Sequence, residues 1–377
     1  MARPKEHAMN DRLAGLKNTL LMGPGPSCVY DSVYTALSRP TIGHLDPYFV
    51  LLMDDIKERL KQIFNTGNRL TMPMSGTGSA GMETCFVNLI EPGDKVLVLT
   101  NGVFGKRMQD VAARLGAEVD ALEVTWGEPV LPDDTAKKLG SGKYDVVAVV
   151  HAETSTGVCS PVGEIGKLVK EHGALYIVDC VTSLGGMPVA IDAWQADAVY
   201  SGTQKCLSCP PGLSPVSFSE QAVARLKARK TKVPNWYLDL AMIVSYWEGT
   251  SRTYHHTAPI NMLYGLYAAL GEVLSEGLEN SFARHKAAHE QLASGLAALG
   301  LELTVDKDYR LPMLNAVSVP KGVDEAGVRS RLLKEFDIEI GAGLGPLAGK
   351  IWRVGLMGHT ARAENVTRLL DTLKKVL

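Results

Sequence analysis

Three stretches of this chain hold side chains whose type and spacing could do chemistry. In YSGTQKCLSCPPG, from Tyr200 to Gly212, Lys205 is the single charged side chain, set among small residues, two thiols and a double proline. An amine closing an apolar run with few charges nearby is a candidate nucleophile, because burial favours the neutral form that can attack a carbonyl. In ALYIVDC, Asp179 closes another apolar run 26 residues earlier (205 − 179 = 26). The third stretch, SGTGSAG from Ser75 to Gly81, follows the strand-like RLTMPM and precedes the helical GMETCFVNLI. Free N–H groups and the positive dipole end of a helix beginning there would make an anion site, with the Thr77 and Ser79 hydroxyls as further donors.

Each stretch also has a plainer reading. Asp179 could cap a helix, Lys205 could reach out to solvent along its apolar stem, and the glycine loop could be a turn with no ligand. Gly76, Gly78 and Gly81 also match a dinucleotide fingerprint, but that reading needs an acid about 20 residues on, at the end of the next strand. Here KVLVLT runs into Asn101 and Gly102 instead.

The elements that must position these residues are legible around them. From about Leu70 to Phe218, KVLVLT, AEVDALEV, YDVVAVVH, ALYIVD, ADAVYSG and SPVSFS are strand candidates, alternating with helical stretches such as GKRMQDVAARLG and EIGKLVKEHG. Gly116 and Gly173 are the expected helix stops. Runs apolar at every position, such as VVAVV, imply strands covered on both faces, hence an α/β fold with a largely parallel sheet between helices. Ligands bind at the carboxyl ends of such strands, where Asp179 and Lys205 both fall.

Beyond Tyr254 the pattern changes to one long helix from about Asn261 through Leu299, followed by the strands LELTV, NAVSVP and IWRVGLMG and the helix DEAGVRSRLLKEF. This reads as a smaller C-terminal α+β domain. The expected division is an N-terminal arm over 1–25, too rich in Pro and Gly for a core element, a large domain over 26–258 and a small domain over 259–377.

One cofactor requires the three chemical features together. Pyridoxal phosphate needs a lysine to attach it, a carboxylate to keep its pyridine nitrogen protonated, and an anion site for its phosphate. The lysine would serve twice, first as anchor and then as carrier of the proton from the substrate Cα.

With these residues in view, the sequence resembles the class V aminotransferases of fold type I, and among them the alanine:glyoxylate and serine:glyoxylate (serine:pyruvate) enzymes. The blocks SGTGSAG, NGVFGKR, HAETSTGV, VDCVTSLGG, YSGTQKCLSCPPG, RKTK, YHHT and RVGLMG carry the resemblance, in one order over nearly the whole chain. It implies Lys205 as the attachment lysine and Asp179 as partner of the pyridine nitrogen. Thr77, Gly78, Ser79 and Gln204 would hold the phosphate, Phe104 and Val181 would cover the two ring faces, and Thr154 would sit near the phenolic oxygen. Tyr254 and Thr257 would reach the phosphate of a neighbouring subunit, which implies a homodimer with composite sites. Arg353 would grip the substrate carboxylate through two parallel hydrogen bonds. Ser79 and Phe104 stand where the animal alanine:glyoxylate enzymes have histidine and tryptophan.

Without the resemblance, Arg353 reads as a strand-edge ion pair and YHHT as a satisfied histidine pair. His44, in PTIGHLDP, is a pocket residue or a loop histidine. Cys206 and Cys209 form a lone C-x-x-C before Pro210 and Pro211, with no second pair to suggest zinc.

Composition bounds the rest. The 377 residues are 46% hydrophobic and 21% charged with a formal net charge of −2, the profile of a globular protein without a polyanion-binding surface. Nucleic acid and membrane partners are not expected. Six cysteines without a framework spacing suggest a reducing compartment, and MARPKEHAMN lacks an apolar signal core, so the cytoplasm is the expectation. The activity implied is transfer of an amino group from alanine or serine to glyoxylate or pyruvate. Ureidoglycine or an aromatic amino acid are alternative donors. A related desulfurase would need a cysteine in the small domain, and none follows Cys209.

Overall fold

The computed structural model describes residues 12–249 and 252–377. The opening MARPKEHAMN, part of the arm expected over 1–25, lies outside the described residues.

The large sheet has seven strands, numbered here in chain order: β1 (Leu70–Ser75), β2 (Lys95–Thr100), β3 (Glu118–Glu123), β4 (Val146–Val150), β5 (Leu175–Asp179), β6 (Ala198–Tyr200) and β7 (Leu213–Phe218). Their spatial order is β1-β7-β6-β5-β4-β2-β3. Only β7 runs antiparallel to its neighbours. The mostly parallel sheet expected from the apolar runs is therefore present, with β4 and β5 buried at every position and the edge strand β3 only half-buried.

Helices α1 (Gly78–Leu89), α2 (Val103–Arg114) and α3 (Val162–His172) alternate with these strands. Gly173 ends α3 at φ 85°, a left-handed cap whose N–H meets the Lys170 carbonyl at 3.0 Å. Gly116 beyond α2 has φ 81°. Both stops fall where the sequence placed them.

A smaller three-stranded antiparallel sheet has the order β8-β10-β9: β8 (Leu314–Ser318), β9 (Gly341–Ala342) and β10 (Ile351–Gly355). Its core gathers Leu292, Leu332, Trp352, Leu369 and neighbours, separate from the larger core around the seven-stranded sheet.

Four expectations change. The long helix is two, α4 (Ile260–Glu276) and α5 (Leu278–Ala298), because Gly277 adopts φ 84° and ψ 138° and breaks the hydrogen-bond ladder. Helix α4 lays Leu263, Leu266, Leu270 and Val273 into the larger core, so packing passes from large to small core after α4 rather than at 258–259. LELTV makes one bridge, Leu303 to Val317, instead of a strand; the chain leaves β8 where the Asp306 side chain caps a short 3-10 turn at Lys307–Tyr309. Finally, Leu20–Leu21 is a short parallel strand against Ile338–Glu339, with Leu20 and Met22 buried in the smaller core, so the end of the expected arm is a core element.

Helix α3 packs flush against the segment after β5: a Cβ on Gly166 would fall onto the Trp194 carbonyl oxygen. Gly166→Ala should lower stability by about 2–3 kcal/mol in urea melts, since backbone and not a movable side chain must yield. A melt unchanged from the parent would show that the contact is not tight.

Candidate active site

Asp179 ends β5 and is paired in register with Tyr200 at the end of β6. Its Oδ1 accepts from the Val181 amide at 2.7 Å and its Oδ2 from the Tyr200 hydroxyl at 2.7 Å. Burial pushes its carboxyl up to about 7 despite these two donors, with the nearby Glu153 adding to the rise.

Five residues beyond β6, Lys205 is 7% exposed, and burial pulls its amine down to about 8; the Arg353 guanidinium works in the same direction. Its Nζ donates to the Pro24 carbonyl. Ser27 fixes the same loop, its hydroxyl donating to the Lys205 carbonyl at 2.7 Å and its amide to the Gln204 carbonyl at 2.9 Å. Gly25, at φ 108°, lies so close that a Cβ would stand 2.8 Å from Nζ. The Lys205 amine is thus a poorly solvated base shifted toward its neutral form.

The glycine loop begins α1. Gly78 is buried against Val181, while Thr77 and Ser79 are exposed. Thr77 is the N-cap but its hydroxyl makes no capping bond, which leaves the first amides of α1 open for an anion. Arg107 donates to the Ser79 hydroxyl at 3.3 Å and sits 4.9 Å from the centre of the Phe104 ring. Gln204 has its Oε1 buried without a partner, so a polar group at this place is unaccounted for by the chain itself.

Arg353, on β10, is 7% exposed and bridges two elements: Nε donates to the Ala342 carbonyl at 2.6 Å and Nη1 to the Thr154 carbonyl at 3.0 Å. No carboxylate pairs with it among the described residues, so it makes no strand-edge ion pair. Thr154 is buried beside it.

Tyr254 and Thr257 lie at the surface. Both are exposed, Tyr254 at 54%, and their hydroxyls lie 3.4 Å from each other. Between them His256 bonds the Ser75 hydroxyl at 3.0 Å and His255 at 2.8 Å. His44 is half-buried with its ring 5.0 Å from that of Tyr254. Cys206 and Cys209 are buried free thiols pushed up to about 12 by burial, and the Cys206 thiol donates to the Thr182 carbonyl. No group of three or more His, Cys, Asp or Glu among the described residues could hold a metal ion.

Sequence reasoning missed Glu153. It lies inside the quoted HAETSTGV block, fully buried, and burial raises its carboxyl against the bonds from Ser155 and Phe104 that lower it. An acid at the end of the short strand Ala152–Glu153, just past β4, was the available signal.

The fold superposes on a crystal structure of alanine–glyoxylate aminotransferase from Nostoc sp. with a TM-score of 0.94 and 47% identity, over 96% of each chain. The class is therefore a fold type I, pyridoxal-phosphate-dependent aminotransferase. The chain belongs to the aminotransferase class-V family, whose model matches residues 28–369. It is 40% identical over 361 residues to an alanine–glyoxylate aminotransferase of Drosophila melanogaster, covering 95% of this chain and 92% of that one. It is also 40% identical over 375 residues to the (S)-ureidoglycine–glyoxylate transaminase of Bacillus subtilis, covering 95% and 90%. The residues present fit the family's cofactor: a buried acid, a neutral-tending amine, an open helix start and an unpartnered amide oxygen lie on neighbouring loops.

The raised Asp179 carboxyl has a consequence for stability. Between roughly pH 4, where an ordinary carboxyl ionises, and pH 7, the folded cofactor-free chain holds a proton that the unfolded chain has released. Stability therefore falls as pH rises through that window and stays lower above it. In cofactor-free protein, Asp179→Asn should be more stable than the parent at pH 8 by about 2 kcal/mol in urea melts, and less so at pH 4. An advantage that does not grow with pH would contradict this assignment.

Proposed function

We propose that this chain moves an amino group from a small amino acid, alanine or serine, to glyoxylate, with pyruvate as a second acceptor, in two alternating half-reactions. The observation that carries the reading is the burial of an acid, an amine and a guanidinium in one crevice: the charge of Arg353 lowers Lys205, and that of Asp179 raises it.

Bound pyridoxal phosphate supplies a sink for the electrons left when the substrate Cα loses its proton. Asp179 would hold the proton of the ring nitrogen. Lys205 would attach the cofactor and, once freed by the substrate amine, take the Cα proton at its neutral Nζ. Thr77, Gly78, Ser79 and Gln204 would hold the phosphate, Phe104 and Val181 would cover the ring faces, and Thr154 would stand near the phenolic oxygen. Arg353 would bind the substrate carboxylate as a fork. In this division of labour the chain through α4 carries the cofactor and the C-terminal sheet brings Arg353.

The reading includes a homodimer. Tyr254 and Thr257 face outward, and Tyr48, Leu51 and Trp236 are large apolar side chains 72%, 63% and 58% exposed, which a second copy would cover. Tyr254 and Thr257 would then serve the partner's phosphate site. Among the described residues no helix is long and apolar enough to cross a membrane. The six free cysteines support a reducing, cytoplasmic setting.

A second donor, ureidoglycine, is favoured by one observation: the B. subtilis relative is as similar to this chain as the Drosophila one. Single-turnover bleaching of the cofactor absorption, with a panel of amino acids, separates the two. Alanine and serine should bleach it at least about tenfold faster, per unit concentration, than ureidoglycine or aromatic donors, a difference of about 1.4 kcal/mol. Bleaching by ureidoglycine or by bulky donors alone would overturn the small-donor reading.

A further inference from the structure

One buried acid has no part in the roles above. Glu153 closes the short strand Ala152–Glu153 and is 0% exposed. Its Oε1 accepts from the Ser155 amide at 3.0 Å and the Ser155 hydroxyl at 2.6 Å, and its Oε2 accepts from the Phe104 amide at 3.2 Å. The Ser155 hydroxyl in turn accepts from the Val103 amide at 3.0 Å. Two of the N–H groups that a helix start leaves without intrahelical partners therefore end on the Glu153–Ser155 turn.

The turn and α2 fit closely. A Cβ on Gly102 would run into the Glu153 side chain and the Ser155 hydroxyl. The three donors to Glu153 and the positive end of α2 favour an ionised carboxylate, while burial works in the opposite direction. Between the two gripping residues, Thr154 offers its carbonyl to Arg353 at 3.0 Å. One three-residue turn thus holds the backbone of Phe104 on one side and the guanidinium of Arg353 on the other.

We propose that Glu153 is a positioning residue: by gripping the start of α2 it sets the Phe104 ring and the Arg353 guanidinium in one frame, so that cofactor and substrate carboxylate are held in register. The meaning given to Phe104 and Arg353 rests on the proposed function, whereas the grip does not. Glu153→Gln keeps the volume but has one acceptor oxygen where three donors converge, so its NH2 group must face at least one of them.

Hydrogen exchange on cofactor-free Glu153→Gln should show the Val103 and Phe104 amides exchanging roughly tenfold faster, with the amides of Val146–Val150 unchanged. The loaded variant should release pyridoxal phosphate roughly tenfold faster and raise the KM for the amino donor about fivefold, with a smaller change in kcat. Ser155→Ala, which removes the hydroxyl shared by Glu153 and Val103, should give the same pattern more weakly and decides the matter if the first variant does not fold. Parental exchange at Val103 and Phe104, or faster exchange with unchanged cofactor release and KM, would overturn the proposal. If the parent chain takes up no pyridoxal phosphate, the cofactor reading and the frame fall together, while the exchange data still decide the grip.

Discussion

Everything at this site depends on keeping an acid and an amine out of water at the carboxyl ends of two neighbouring parallel strands. Burial shifts each group toward its neutral form: it raises Asp179 to about 7 and lowers Lys205 to about 8. Two short hydrogen bonds oppose the rise at Asp179, and both come from backbone-fixed neighbours, Val181 two residues on and Tyr200 directly across the strand pair. The parallel register thus places a hydroxyl donor opposite the acid without any extra loop. A cationic ring nitrogen beside Asp179 would reverse the cost of its ionisation, which makes the same burial that penalises the bare acid a reason for it to bind a cation strongly.

The lysine loop is held from both ends of the chain. Pro24 and Ser27 meet it from the N-terminal side, and from the C-terminal side the His359 amide donates to the Ser208 hydroxyl at 2.7 Å. The next link is His285 on α5, whose Nε2 accepts from the Gly358 amide at 2.9 Å. Burial lowers His285 to about 4, so at neutral pH the ring is uncharged and able to accept that bond. The smaller core and the lysine loop are therefore joined through this uncharged ring and through the neighbouring Arg284 guanidinium, which donates to the Gly358 carbonyl at 2.7 Å.

Much of this was legible in the sequence because the seven-stranded sheet is built from runs apolar at every position, and such runs have few alternatives. VVAVV and LYIVD are buried throughout; LYIVD ends on Asp179 itself, and Lys205 lies five residues beyond the next strand. LELTV was harder to read: its composition is that of a strand, yet its pairing is decided by a neighbour far along the chain and by the Asp306 turn. The N-terminal Leu20 and Met22 were hidden by the Pro and Gly beside them, since only the tertiary partner at Ile338–Glu339 makes that segment a strand. Glu153 escaped because its donors come from its own turn and from a helix some fifty residues away in sequence, a convergence no local pattern reports. The roles of Tyr254 and Thr257 were given by resemblance alone; in this chain both are exposed and their hydroxyls meet.

The central claim is that one amine, Lys205, carries the cofactor because, among the described lysines, it is the one buried beside the acid. Borohydride reduction of the protein loaded with pyridoxal phosphate, followed by peptide mapping, tests it most directly. The account predicts a yellow protein whose colour is fixed by reduction, with a single phosphopyridoxyl adduct on the peptide containing TQKCLSC and its mass located at Lys205. A colourless protein, or an adduct spread over the exposed lysines and absent from Lys205, would contradict it.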